Sequence, residues 1–455
     1  MTQTAIVQVN VSQTLAPTPD TLQRTAYIIS QGGTTLADDG EKLLSKASDL
    51  TSVLGPSLTL SALSWAGGTA TATTSAAHGW NIGDTVQAVI SGVVPVGWNG
   101  TYAITVTSTT QFTFALASNP GTVTTQGKVT LAAVNQVQAA VTTWFAQGAN
   151  TSVYILELGE GTAAAGVTAL TTWLTNNPNT GYNFLVPQGW DAASSFVTLV
   201  GNYATNTSKT YFYTTVSLGT YASFAGVKSV VMCLPSPNAP TTEFTAAAMM
   251  QNRTNLNPAS TNQVTPTAYQ FLFGVTEYPI TTSLAATLKT ANVNYVGTGA
   301  EGGLTNKIWV NGVTADGNDV IYWYSIDWVQ INLDLNISNE IINGSNNSVA
   351  PLYYNQNGIN RLQARAAQVL NQGISYGMIL GSLSQVQLPA STFIAAVNNG
   401  VYHGNVGLNA VPFANYVATN PNDYPQGLYT GLTAVYTAAR GFINIVFNVN
   451  VSTFA

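Results

Sequence analysis

The residues most able to do chemistry are scarce: the chain has two histidines, His78 and His403, and one cysteine, Cys233. A zinc site gathers several Cys, His or carboxylate ligands, and a nucleophilic triad sets an imidazole beside a carboxylate. His78 and His403 lie in different regions, and neither has Cys, Asp or Glu at ligand spacing, so neither chemistry is expected. In Ala77-His78-Gly79-Trp80 the imidazole reads as a turn residue. Glu157, Glu160 and Asp191 are of the type that pair for glycoside hydrolysis; the alternative is solvated carboxylates at strand and helix ends. Gly297-Thr-Gly-Ala-Glu-Gly-Gly303 has the glycine density of a phosphate-cradling loop but lacks the following Lys and Ser/Thr, and reads as a flexible turn. Arg361 and Arg365, one helical turn apart, repel unless an acidic partner meets them; a solvated helix face is the other reading. No catalytic, cofactor-binding or metal-binding residue is therefore expected.

The elements that would position these residues follow from periodicity. Residues 5–11 alternate strictly, with Ala5, Val7, Val9 and Val11 on one face and Ile6, Gln8 and Asn10 on the other, which predicts a half-buried strand. Pro17 and Pro19 then favour an extended connector. From 26 to 54 the chain reads as a strand around Tyr27-Ile28-Ile29, a turn at Gly32-Gly33 and a helix-capable segment stopped by Gly55-Pro56. Between 57 and 132 short Thr/Val/Ala runs alternate with turn residues such as Asn99-Gly100 and Asn119-Pro120-Gly121, predicting a small inserted all-β domain.

The helix VNQVQAAVTTWFAQG and the strand SVYILEL come next, and ALTTWL, YNFLVP, FVTLVGNYA, TYFYTTV and VKSVVMCL continue an α/β unit. Cys233 sits in the last of these runs as a buried, inert thiol. The stretch 280–345 is mixed. INRLQARAAQVLNQGI, with Ile359, Leu362, Ala366, Val369 and Leu370 on one face, is the clearest amphipathic helix. Gly441–Val451 alternates again: Ile443, Ile445, Phe447 and Val449 face one way, and Phe442, Asn444, Val446 and Asn448 the other, a predicted closing strand.

Charged residues make up only 7% of the 455 positions, with a net charge of -6, although the hydrophobic share is 45%. Thr, Asn, Ser and Gln carry the polar surface instead. A core is available, but a nearly neutral surface resists association poorly and suits a subunit surrounded by copies of itself. Few Lys and Arg, with no basic run, exclude a nucleic-acid partner. No segment approaches the ~20 apolar residues of a membrane span. The opening residues have no basic and apolar leader pattern, so the chain is expected to be cytoplasmic when made.

Three stretches together resemble the contractile tail sheath family, in particular the branch of myophages with compact sheaths. The first is split: SDLTSVLGP at 48–56 and AVTTWFAQGANTSVYILEL at 140–158 are similar to the family's stop, helix and strand, with the β insert between them. The second is INRLQARAAQVLNQGISYGMILGS, similar to the late sheath helix. The third is GFINIVFNVNV, similar to the closing sheath strand. The Asn-rich, acidic stretch 320–345 departs from the charged pairs that sheaths often place there.

This resemblance implies an α/β (α+β) multi-domain fold: a mixed-sheet tube-side core with an inserted small all-β domain and extended N- and C-terminal strands. The expected divisions are 1–20 (strand and linker), 21–56 (core, first part), 57–132 (insert), 133–350 (α/β sheath domain) and 351–455 (tube-side core with an exchange strand). It implies a structural, non-enzymatic protomer that polymerises around an inner tail tube and contracts. Baseplate and tail terminator proteins are its other implied partners, in a virion tail assembled in the host cytoplasm. Residues 5–11 and 442–449 would exchange between protomers as added strands, and Arg361 and Arg365 could touch the inner tube. The competing readings are a receptor- or glycan-binding tail decoration and, behind it, a carboxylate-based hydrolase.

Overall fold

The computed structural model describes residues 21–148, 151–159, 161–301 and 304–442. The predicted strand at 5–11 and residues 443–451 of the predicted closing strand lie outside these. The described chain forms two compact units, one of Arg24–Asn255 and Ala268–Asn318, the other of 21–23, Leu256–Thr267 and 319–442.

The larger unit begins with β1 (Ala26–Ser30) and an edge strand, β2 (Glu41–Leu44). Here the helix-capable reading needs correction: the segment up to Leu54 holds β2 and a short 3-10 helix, Ala47–Ser52. The Asp49 carboxylate accepts from the Ser45 and Lys46 amides, and Gly55 N–H donates to Gly33 O, so local capping and a long-range bond outcompete a full helix.

There follows a closed barrel of β3 (Leu58–Ala66), β4 (Thr69–Thr74), β5 (Thr85–Ser91), β6 (Gly100–Val106), β7 (Gln111–Ala115) and β8 (Lys128–Leu131), in the order β3-β4-β7-β6-β5-β8. Period-two burial in β5 and β7 turns Val86, Ala88, Ile90, Phe112 and Phe114 inward around Trp98. β3 went unread in the sequence because a bulge between Leu60 and Ala62 breaks its alternation. Its Leu58 pairs with Val129 of β8, so the barrel's first and last strands are neighbours.

α1 (Ala132–Ala146) continues directly from β8, and β9 (Val153–Glu157), α2 (Ala163–Asn176), β10 (Asn183–Leu185), α3 (Ser194–Asn202), β11 (Tyr211–Thr215) and β12 (Val230–Cys233) alternate behind it. The sheet order is β12-β11-β10-β1-β9-β2, parallel except for β2. β1, β10, β11 and β12 are buried throughout, which is why they read as continuous apolar runs rather than alternations. Across adjacent strands Tyr27 stacks on Phe184 with ring centroids 5.3 Å apart, and Phe212 packs tilted against Phe184 at 5.8 Å. α4 (Thr245–Thr254), α5 (Thr282–Thr290) and the hairpin β13 (Tyr295–Glu301) to β14 (Leu304–Val310) complete the unit. The glycine-rich stretch is thus strand rather than turn as far as Glu301. Gly297 is required where a Cβ would come within 2.5 Å of Val310 Cγ2.

The smaller unit holds α6 (Val320–Asn346), α7 (Gln356–Ser375), β15 (Leu383–Val386), α8 (Ala390–Asn398), β16 (Val406–Ala410), α9 (Phe413–Thr419) and β17 (Leu432–Val435). The Asn-rich stretch is therefore the 27-residue helix α6. Asn332, Asn336 and Asn346 turn their side-chain amides back onto carbonyls four residues earlier, which satisfies groups that otherwise compete with the helix. The fold is α/β and multi-domain, with a mixed-sheet core and a small closed barrel.

Candidate functional site

Among its described residues the smaller unit holds a three-stranded sheet, β15-β16-β17. β16, buried at every position, pairs in parallel with β15 (Leu383↔Val406) and antiparallel with β17 (Gly407↔Val435). Among the described residues no strand pairs with the outer edge of β15 or of β17. Free edges leave N–H and C=O groups in register for a further strand.

The sheet is held from below by amides rather than charges. Gln363 of α7 donates through Nε2 to Val386 O at 2.9 Å. Asn409 acts as a surrogate peptide group, its Oδ1 accepting from Leu388 N–H at 2.8 Å and its Nδ2 donating to Leu388 O at 3.0 Å.

Both ends of the described chain are tied to the first turns of α6. Leu22 is buried, and Gln23 Nε2 donates to Tyr324 O at 3.0 Å. Asp319 caps α6 by accepting from Ile321 N–H, and its other oxygen accepts from Gly441 N–H at 3.0 Å. The Arg440 guanidinium lies over the Tyr322 ring, 3.9 Å from its centroid. Phe442 follows, outside any strand and 79% exposed. Of the predicted exchange residues it alone is described; Ala5 to Val11 and Ile443 to Val449 lie outside.

Arg361 and Arg365 find their acid within the chain. Arg361 donates from Nε and Nη2 to Glu340 Oε1 at 2.9 and 2.6 Å, and Arg365 Nε donates to Oε2 at 2.7 Å. Arg361 Nη1 also reaches the Ala350 and Pro351 carbonyls. Arg365, and then Arg361, hold the buried Glu340 carboxyl below the usual carboxylate range. The signal for this pairing was present in α6, but the distance of 21 and 25 positions hid it.

The other chemistry-bearing residues are kept apart. Glu157 is buried, accepting from Ser30 Oγ, Thr34 Oγ1 and the Gly32, Thr34 and Gly159 amides. Asp191 accepts from Ser217 N–H and Thr220 Oγ1, and Glu160 lies outside the described residues. His78 is buried in the barrel, stacked on Trp80 at 4.6 Å, with Nδ1 accepting from Trp80 N–H. Burial pushes its imidazole below the ordinary range. Cys233 is fully buried, and burial pushes its thiol up, away from the reactive thiolate. Among the described residues no cluster of three or more His, Cys, Asp or Glu could hold a metal, and no helix is long and apolar enough to cross a membrane.

The arrangement is thus a multi-domain α/β fold in which, among the described residues, a sheet edge has no partner strand. No protein-family model and no curated protein matches the sequence. Solved structures do. A chain of the anti-feeding prophage (AFP) baseplate matches over 99% of this chain and 100% of its own length, with a TM-score of 0.51 and 12% identity. A sheath tail protein from Listeria innocua covers 78% of this chain and 86% of its own (TM-score 0.43, 9% identity). A sheath tail protein from Desulfitobacterium hafniense covers 81% and 90% (TM-score 0.38, 12% identity). At the level of fold, the chain is thus similar from end to end to a chain of the AFP baseplate.

Proposed function

We propose that this chain is the structural protomer of a contractile tail sheath, polymerising around an inner tail tube and contracting to drive it through a host envelope. The observation that carries this reading is the end-to-end fold match to a chain of the anti-feeding prophage (AFP) baseplate. The open edges of β15 and β17 and the 7% charge content agree with it. In this reading residues 5–11 and 442–449 of one protomer add strands to the open sheet of a neighbour, main-chain hydrogen bonds supplying affinity and alternation supplying register. The pinning of 23 and 441 at the start of α6 gives both arms a fixed point of departure. Contraction is then a rigid-body rearrangement between two lattices, with baseplate and terminator proteins at the ends of a virion tail assembled in the host cytoplasm. In this reading the barrel of 57–132 is an outward module.

Negative-stain microscopy of the purified full chain tests this directly. Tubes or stacked rings are expected. Dispersed monomers that bind a receptor glycan through the barrel would replace the reading with that of a tail decoration.

A further inference from the structure

The parallel sheet of the larger unit has a crevice that the assembly role does not use. Its strand order changes direction between β1 and β10, where the chain runs outward first to β9 and then to the other side. In open α/β sheets the carboxyl ends of strands at such a switch point form a natural ligand crevice. Here a cavity of about 250 Å³ lies at that place, between Gln31 after β1, Gln188 and Trp190 after β10, Gln136 on α1, and Gln87 on the barrel wall.

Its chemistry excludes the nucleotides that such crevices often take. The loop after β1 would hold a phosphate on its backbone amides, but those of Gly32 and Thr34 already donate to the Glu157 carboxylate at 2.6 and 3.0 Å. Gly33 N–H is taken by Ser30 Oγ. The phosphate position is thus filled by the protein's own anion, and among the described residues no charged side chain lines the cavity.

What remains free is uncharged and two-sided. Gln31 is spent, its Oε1 accepting from Trp190 Nε1 and its Nε2 donating to Thr162 O. Among the described residues Gln136 uses only Oε1, accepting from Gln188 N–H at 3.1 Å, which leaves its amide nitrogen as a donor. Gln188 Oε1 is buried and accepts no hydrogen bond among the described residues, an unmet acceptor that a turn of the carboxamide would present to a ligand donor. Gln87 stands exposed at the rim. Ile29, Val137 and Trp190 make the apolar wall.

We propose that this crevice binds one ring of a neutral sugar, whose adjacent hydroxyls donate and accept at once and whose ring carbons meet the apolar wall. A single ring suits the volume, and the carboxamides match a hydroxyl pair as they would not match a phosphate or carboxylate.

The test is saturation-transfer NMR on the full chain with glucose, galactose and N-acetylglucosamine as probes, beside glucose 6-phosphate and an N-acetyl dipeptide amide. Millimolar binding of at least one neutral sugar is expected. Gln188→Leu should weaken it about tenfold. Gln87→Ala, on an exposed strand position where folding is not at risk, should weaken it about threefold with an unchanged melting curve. Absence of sugar binding, binding indifferent to Gln87→Ala, or preference for the phosphate or the peptide amide would each overturn the assignment. Tube formation is scored separately, so failure here leaves the assembly reading intact.

Discussion

Glu340 concentrates the electrostatics of the smaller unit into one carboxylate with two guanidiniums. It is 6% exposed, whereas the Arg361 and Arg365 side chains are 28% and 45% exposed, so solvent screens part of the attraction. Glu340→Gln keeps the shape and removes the charge, and should cost about 1–2 kcal/mol in urea unfolding at neutral pH. Because the folded carboxyl is held below its unfolded range, its stabilisation is present above about pH 4.3 and fades as pH falls through the folded value. The gap between wild type and variant should close in acid; a constant gap would assign the effect to packing. His78 runs on a different window. Its lowered imidazole stabilises the barrel in the neutral form, so that stability is present above about pH 6.5 and declines below it. Histidine NMR of the full chain should show the His78 imidazole titrating below the ordinary histidine range.

At the scale of elements, the barrel's place in the chain has a geometric basis. β3 and β8 pair at Leu58↔Val129, and Ser57 Oγ accepts from Thr130 Oγ1, so the insert leaves and rejoins the α/β unit at nearly one point. Gly33 and Gly55 sit against the start of α1, where a Cβ would meet Ala133 O at 2.7 Å and Val134 Cγ2 at 2.7 Å respectively. The two halves of the split sheath-like stretch are therefore joined across the insert. Replacing 58–131 by a short Gly/Ser linker should leave soluble protein that still forms tubes in the microscope; loss of all soluble protein would make the barrel part of the unit's own core. The terminal arms make the opposite expectation. Proline at Val9 or Ile445 removes one ladder donor and should abolish tubes while circular dichroism stays that of the folded monomer.

For the whole molecule, the scarcity of charge makes a prediction that most assemblies would fail. A lattice held by added strands and neutral side chains has little for salt to screen. Sedimentation of the assembled protein should change little between about 0.05 and 0.5 M salt. Dissolution over that range would instead place ion pairs at the interfaces and reopen the acidic stretch and the arginines as contacts between protomers.

The sequence by itself determined what depends on local pattern. Short Thr/Val/Ala runs between turn residues marked five of the barrel's six strands, helical spacing in Ile359, Ala366, Val369 and Leu370 marked the face of α7 that is buried, and continuous apolar runs marked the central parallel strands. It failed where a local signal was interrupted, as by the bulge in β3, or where side chains repaired a poor propensity, as the Asn amides do along α6. Only the tertiary structure decided which groups meet. It set Glu157 onto the loop amides from over 120 positions away, and brought Glu340 to two arginines on another helix. It left the edges of β15 and β17 without a partner strand among the described residues, because pairing is a property of neighbours in space that no single strand encodes.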